Sequence, residues 1–323
     1  MTYSSGSLIQ ATDYNGFAST TAGANLNDIW STGSGDKGWG QTALSTVTAG
    51  TSTVTATQWA GLVNNLSSSG GQTNTTITAR SAPTAGQTIG ILAALSTDLT
   101  NCTTNRGNAA AVGAQYTGWT GTNSLTAGKP AGNWNFTITN TITFPSAAQA
   151  RYFFNAGGLI RISSYKTSTG NTGDPPWNAL IASSGDIYIS GRVNSAAQTI
   201  GGTSYTGTTK IGGSGTNSVL TTTTGWYQLT PGAALSTIYL QYSPTAPYTS
   251  DYIAYQAAVN SASTTLTIAS IFVGSDGDPI SGGTAASGGT PGTAPCTIVT
   301  YYPPSTTYLT NSWGTPTVAA TIA

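Results

Sequence analysis

The sequence predicts a mainly β protein, in which a small N-terminal region with short helices precedes an antiparallel β-sandwich or jelly-roll-like domain. Three observations predict this fold class. Helical spacing of apolar residues is confined to positions 1–115, positions 116–323 contain many short runs of strand character, and Gly, Pro, Asn and Ser separate those runs. We therefore divide the chain into regions 1–115 and 116–323.

Two helical patterns lie in the first region. Apolar residues from Trp59 to Leu66 recur at the i, i+3, i+4, i+7 spacing of one helical face, and Thr57 is a candidate N-cap. This predicts a helix over positions 57–66. Similar spacing between Ile89 and Leu99 predicts a second short helix.

The second region opens with a pattern of period two. Trp134, Phe136, Ile138 and Phe144 occupy even positions, and polar residues occupy the odd ones, with Asn140 as the single break. Such alternation is typical of a half-buried strand. We expect either one strand or two strands bent near Asn140, with the four aromatic and aliphatic side chains facing inward.

No helical pattern is evident after position 116, and further strands are expected instead. Two adjacent glycines at positions 157 and 158 predict a tight hairpin turn between the first two of them. The Gly-, Thr- and Ala-rich segment 281–295 is interpreted as an exposed loop. The expected strands lie at 151–154, 159–163, 186–190, 225–230, 238–242, 252–258, 264–273 and 297–302.

Charge is the most restrictive property of the composition. The 323 residues include no His and no Glu, and the 9 Lys and Arg balance 9 acidic residues, so the charged fraction is only 6%. Catalytic arrangements that need His are therefore excluded, and no basic cluster indicates nucleic-acid binding. We expect no enzymatic activity. A hydrolase that uses two Asp carboxylates stays open as an alternative, because all nine acidic residues are Asp.

No metal or cofactor is predicted. Asp276 and Asp278 would offer two oxygen ligands to calcium, but a pair separated by Gly is ordinary turn chemistry. The glycine-rich segment 33–40 lacks the Gly-Lys-Ser/Thr ending of a nucleotide loop, so we interpret it as a structural turn. Cys102 and Cys296 are expected to be unpaired thiols.

Membrane insertion is not expected, because the longest apolar run has seven residues, at positions 89–95. The first residues show no signal peptide, which favours synthesis in a cytoplasm.

Aromatic residues beside prolines are the candidate contact residues. Trp177 follows two prolines, and Tyr301 and Tyr302 precede two more. If these rings lie exposed in loops, they would form a stacking platform for a glycan or a receptor. The alternative is that they pack beneath their own loops or at a subunit interface.

Two sets of sequence blocks are more specific than the general composition. One set is Ala-Thr-Asp-Tyr-Asn-Gly at 11–16, followed by positions 27–42 and 54–63. The other is positions 144–162, which contain Phe-Phe-Asn-Ala-Gly-Gly at 153–158. In sequence and order they resemble virion structural proteins of tailed bacteriophages, especially phages of aquatic hosts. These blocks span about a quarter to a third of the chain.

The resemblance implies a tail fibre, tail-tip or other appendage subunit that acts as a homo-oligomer, with a trimer as the default expectation. Region 1–115 would then serve attachment or assembly. The partners would be other copies and other virion proteins, and the location would be the virion, assembled in the host cytoplasm. Alternatives are a receptor- or glycan-binding adhesion module, a capsid decoration protein or a neck protein.

Overall fold

A computed structural model describes residues 11–19, 25–48, 53–85, 92–116, 119, 122–123, 135–166, 174–274 and 295–323. These residues form a mainly β structure in which most of the helices precede the sheets. The fold class expected from the sequence is confirmed. The α-helices are α1 (Ala11–Ala18), α2 (Leu26–Trp30), α3 (Ala56–Gln72), α4 (Leu92–Thr104), α5 (Ala147–Asn155) and α6 (Asp174–Ser184).

The strands are short, and many of them lie where the apolar runs predicted them. They are β1 (Asn108–Ala109), β2 (Thr122–Asn123), β3 (Asn135–Thr143), β4 (Leu159–Tyr165), β5 (Asp186–Ile189), β6 (Gln198–Ile200), β7 (Thr203–Tyr205), β8 (Thr208–Ile211), β9 (Val219–Leu220), β10 (Ser236–Tyr242), β11 (Tyr252–Val259), β12 (Thr265–Val273), β13 (Cys296–Tyr302) and β14 (Thr317–Ile322).

Two large antiparallel sheets form the sandwich. The strand order is β14-β3-β12-β11-β10-β9 in one sheet and β2-β13-β4-β5-β8 in the other. A smaller sheet has the order β1-β6-β7, and its β1–β6 pair is parallel. The chain passes from one large sheet to the other after β2, β3, β8, β12 and β13. Some neighbouring strands, such as β3 and β12, therefore come from distant parts of the sequence.

Strand β3 is one continuous strand, paired with β12 without a register shift over its whole length. Phe136 and Ile138 are buried, and Phe144 is buried directly after the strand, which confirms the inward-facing pattern. Asn140 is also fully buried at an even position. The chain therefore does not bend there, because the ladder continues through the polar residue. Trp134 lies outside the described residues.

Helix α3 begins with a capping box. The hydroxyl of Thr55 accepts a hydrogen bond from the Gln58 backbone, and the Gln58 side chain accepts one from the Thr55 backbone. The buried residues Trp59, Leu62 and Leu66 confirm the predicted helical face. The cap is thus two residues earlier than expected.

The same helix also ends later than expected, at Gln72, although its last turn is rich in Ser and Gly. The buried amide of Gln72 donates to the Ala156 carbonyl oxygen at 3.0 Å. This tertiary hydrogen bond holds a segment of low helix propensity in the helix.

The strand expected at 151–154 is wrong, because this segment belongs to α5. The Ser146 hydroxyl accepts from the Gln149 backbone and caps the helix, and Ala150, Phe153 and Phe154 are buried at i, i+3, i+4 spacing. The hairpin turn expected at the two glycines is also wrong. These glycines instead lead from the helix into β4.

Two more expectations after position 116 need correction. Residues 225–230 were expected to form a strand, but Trp226–Gln228 forms a 3₁₀ turn instead. The ring of Trp226 stacks on Phe154 with centroids 4.7 Å apart, so packing decides this conformation. No helix was expected after position 116, but residues 174–184 form α6. Pro175 and Pro176 lie in its first turn, where the missing backbone N–H of proline costs least. The loop expected at 281–295 lies outside the described residues, apart from its last residue, Pro295.

The helices and the sandwich share one continuous hydrophobic core among the described residues. The Trp39 indole donates to the Asn155 carbonyl oxygen at 3.3 Å, and the Gln41 amide donates to the Thr310 carbonyl oxygen at 2.9 Å. Residues from both sides of position 115 therefore pack together, while the domain boundary itself stays a prediction. Cys102 and Cys296 are buried and not bonded to each other, as expected.

Candidate functional site

Two of the three aromatic candidates lie in the core. Trp177 is only 6% exposed, and its ring centroid lies 6.4 Å from that of Phe272 in β12. Tyr301 is 2% exposed and stacks on Phe153 with centroids 4.9 Å apart. Both rings are packed within this chain, so they correspond to the packing interpretation of the aromatic–proline pairs.

Tyr302 is the candidate that keeps part of its side chain at the surface. It is half-buried, and the Arg161 guanidinium carbon lies 5.6 Å from its ring centroid. The ring centroid of Tyr188 lies 6.4 Å from that of Tyr302. The structure places Tyr302 beside Tyr301 on β13 but not with Trp177, which packs against the other large sheet, so the three do not form one platform.

An open cleft of about 460 Å³ lies elsewhere, between the end of α3, the small sheet and the segment that follows β13. We call it the Tyr308 cleft. The described part of its lining contains amide, hydroxyl, aromatic and glycine groups and no charged side chain. The lining residues are Gly71, Asn74, Asn108, Ala109, Ala110, Thr199, Gly201, Gly202 and Tyr308.

One wall of the Tyr308 cleft depends on close contact between Tyr308 and Gly71. A Cβ atom at Gly71 would lie 2.4 Å from Tyr308 Cε1, so only glycine lets the ring approach the helix. Of the accessible surface of Tyr308 as a whole, 40% remains exposed. Asn74 follows α3 with φ of 49°, a left-handed conformation that Asn adopts more readily than most residues.

The opposite wall is the small sheet. Asn108 pairs with Thr199 between β1 and β6, and the Gly201 backbone donates to the Ala109 carbonyl oxygen at 3.1 Å. Gly201 and Gly202 form the two-residue turn to β7 with φ of 56° and 83°. Positive φ at both positions is typical of a type I′ hairpin turn. This turn leaves the cleft open above Gly202, where an added Cβ atom would contact nothing within 4 Å.

The hydrogen-bonding groups of the cleft include two side-chain amides. The side chains of Asn74 and Asn108 form no hydrogen bond with another described residue, so each offers both a donor and an acceptor. The described lining offers no carboxylate for acid–base chemistry. The arrangement can stack against a ligand and exchange neutral hydrogen bonds with it.

Comparison with protein-family models, with curated proteins and with solved structures found no match.

The ion pairs of described aspartates connect strands, loops and helices. Asp186 of β5 pairs with Arg161 of β4 at 3.7 Å, Asp28 pairs with Lys37 at 2.6 Å, and Asp36 pairs with Arg106 at 3.1 Å. The last two pairs involve the glycine-rich segment 33–40, in which Lys37 is held by Asp28. In the buried pair Asp98 accepts from Arg80.

Within the described ranges, no group of three or more His, Cys, Asp or Glu residues is placed to hold a metal ion. The two aspartates at 276 and 278 lie outside these ranges. None of the helices within the same ranges combines the length and the apolar character needed to cross a membrane.

The Tyr308 cleft was not predicted from the sequence. Its residues come from four separate segments, and nothing in the chain order brings Asn74 near Thr199 or Tyr308. Two local signals did exist. The Gly201-Gly202 pair between two Thr-rich runs is typical of a hairpin turn, and Tyr308 follows a polar segment that contains two prolines.

Proposed function

We propose that this protein is a non-enzymatic, self-associating structural component of a tailed-phage virion, as a tail fibre, tail-tip or other appendage subunit. The sequence blocks at 11–16, 27–42, 54–63 and 144–162 support the virion assignment. The neutral, His-free composition supports a building role, since surfaces near zero net charge favour association.

The observation that carries the self-association is the exposed edge of β14. This strand is the last in its sheet, paired only with β3, and no described strand pairs with its other edge. Its side chains are almost all exposed, including Ile322 at 42%. An edge of this kind presents a row of unpaired backbone groups to a partner strand.

The register shows which backbone groups face outward. Ala323 and Thr137 exchange both backbone hydrogen bonds, at 2.7 and 3.0 Å. In an antiparallel ladder every second residue bonds in this way. Val318, Ala320 and Ile322 therefore direct their N–H and C=O groups away from β3, toward the free edge.

These three residues are self-complementary. If a second copy of β14 pairs antiparallel about a two-fold axis, Ala320 lies opposite Ala320 and Val318 lies opposite Ile322 of the second copy. Each residue then exchanges both hydrogen bonds, and the apolar side chains pair across the contact.

Nothing in the strand opposes this pairing. Natural sheet edges are commonly protected by charged side chains, proline or a bulge. The sequence of β14, Thr-Val-Ala-Ala-Thr-Ile, has no charge or proline, and its register with β3 contains no shift. A two-fold contact predicts an even number of copies in place of the trimer expected at first.

Size-exclusion chromatography with light scattering tests this proposal on the full chain. We expect an oligomer with an even copy number for the unaltered protein. Ala320→Lys places two like charges together at the two-fold axis and should give monomers. Ala234→Lys, at an exposed alanine outside β14, is the matched control and should leave the oligomer intact.

A monomer at high concentration for the unaltered protein would overturn the self-association. A trimer that persists in Ala320→Lys would overturn the β14 contact. Mass spectrometry and cryo-electron microscopy of phage particles that encode this chain test the virion assignment, which fails if the protein is absent from them.

A further inference from the structure

We propose that the Tyr308 cleft binds an uncharged carbohydrate. This inference rests on the geometry of the cleft and does not require the β14 contact. Of the three aromatic residues that the sequence offers for glycan contact, Trp177 and Tyr301 are buried, whereas the cleft joins an exposed ring with two side-chain amides.

The stacking surface is the ring of Tyr308. The ring lies against Gly71 on the helix side, and 40% of Tyr308 remains exposed. A tyrosine ring is a flat apolar surface with a polar tip, suited to the C–H face of a pyranose. Because the ring is already seated on α3, little side-chain freedom is lost when a ligand covers it.

The hydrogen-bonding groups match sugar hydroxyls. A hydroxyl both donates and accepts, and so does a side-chain amide. Asn74 and Asn108 provide two amides on adjacent walls, and neither is engaged by another described residue. Thr199 adds a hydroxyl on the β6 side of the cleft.

The charge of the lining selects the class of sugar. Among the described residues no Lys, Arg or Asp lines the cleft, so a carboxylate, sulfate or phosphate on the ligand would lose water without gaining a counter-charge from them. A volume of about 460 Å³ lies within the usual range for small-ligand sites and corresponds to a short, neutral saccharide.

Saturation-transfer NMR with the full chain tests the proposal. The probes are neutral oligosaccharides of glucose, galactose, mannose and N-acetylglucosamine, with sialyllactose and a heparin disaccharide as anionic comparators. We expect at least one neutral probe to bind with Kd below about 10 mM, and no anionic probe to bind more tightly.

Variants assign the binding to the cleft. Tyr308→Ala should weaken binding of the neutral sugar about tenfold, which corresponds to about 1.4 kcal/mol, because it removes the stacking surface. Tyr308→Phe should retain most of the affinity. Asn74→Gly removes one amide while tolerating the positive φ, and should also weaken binding. Tyr242→Ala is the matched control, because Tyr242 is a similarly exposed tyrosine, at 41%, outside the cleft.

Three outcomes would overturn the proposal: no neutral probe binds at about 10 mM, an anionic probe binds best, or Tyr308→Ala binds as well as the unaltered protein. Thermal unfolding of each variant shows that it is folded. Ala320→Lys should leave sugar binding unchanged, so failure of the cleft proposal and failure of the β14 contact are separate results.

Discussion

The Tyr255 hydroxyl lies 2.6 Å from the Ser164 hydroxyl and joins the two large sheets across the interior of the sandwich. Tyr255 belongs to β11, and Ser164 belongs to β4 of the facing sheet. The tyrosine is fully buried, and burial raises its pKa well above the ordinary value. This hydrogen bond satisfies a polar group that would otherwise be costly to bury.

We therefore predict that Tyr255→Phe and Ser164→Ala each lower the free energy of unfolding, and that their effects are not additive. The coupling in a double-mutant cycle should be about 0.5–1.5 kcal/mol, typical of one buried hydrogen bond. Chemical denaturation of the four proteins measures it. Tyr252→Phe, on the same strand but only half-buried, is the control. Additive effects would contradict the inter-sheet bond.

The buried face of α3 predicts a large cavity effect. Leu62 is fully buried, so Leu62→Ala should lower the free energy of unfolding by about 2–5 kcal/mol. Leu235→Ala is the matched control, because Leu235 is 39% exposed and should change stability by no more than about 0.5 kcal/mol. Equal unfolding temperatures for the two variants would show that Leu62 is not in the core.

Buried tyrosines predict a loss of stability at alkaline pH. Burial raises the pKa of Tyr239 to about 12 from its ordinary value of 10.0, against a smaller opposing effect of its hydrogen bond to Ser184. Because the folded state holds the proton more tightly, the stabilisation is fully present below pH 10 and is lost as pH rises toward 12.

Denaturation as a function of pH checks this prediction. The free energy of unfolding should decline above about pH 10. In Tyr239→Phe the decline should be shallower, whereas Tyr242→Phe, which removes an exposed hydroxyl, should follow the unaltered protein. Identical profiles for Tyr239→Phe and the unaltered protein would contradict the assignment.

The cysteines are expected to be inert in the folded protein. Burial raises the pKa of the Cys102 thiol to about 11, so very little thiolate forms near neutral pH. Cys296 is also buried. A thiol-reactive disulfide reagent should modify neither residue in the native protein and should modify both in denaturant without a reducing agent. Rapid reaction of the native protein, or no reaction after denaturation, would contradict two buried thiols that form no disulfide with each other.

Local patterns in the sequence were sufficient for much of the architecture. The alternation that begins at Phe136 predicted β3, because a strand with one buried face needs apolar residues at period two. The apolar stripe from Trp59 to Leu66 predicted the N-terminal part of α3, because a helix with one buried face needs apolar residues at the i, i+3, i+4, i+7 spacing. These signals are local, so they do not depend on which element packs against which.

Tertiary packing decided the segments in which local signals compete. Residues 151–154 include three aromatic side chains and resemble a strand, but Phe153 and Phe154 pack against Phe144 and Trp226 from one side of a capped helix. The burial of those rings outweighs their weak preference for strand. The prolines beside Tyr301 likewise favour an exposed loop position. Its burial depends instead on Phe153, which is 148 positions earlier in the chain.

The sequence by itself determined the mainly β class, the absence of His-dependent chemistry and the separation of helical and strand patterns, because these follow from composition and short-range periodicity. Only the tertiary structure placed Tyr308 against Gly71 beside Asn74 and Asn108, and only the sheet order left β14 at an edge. Both features join residues that are far apart in the chain, and their contacts arise from the packing of whole elements, which no local pattern encodes.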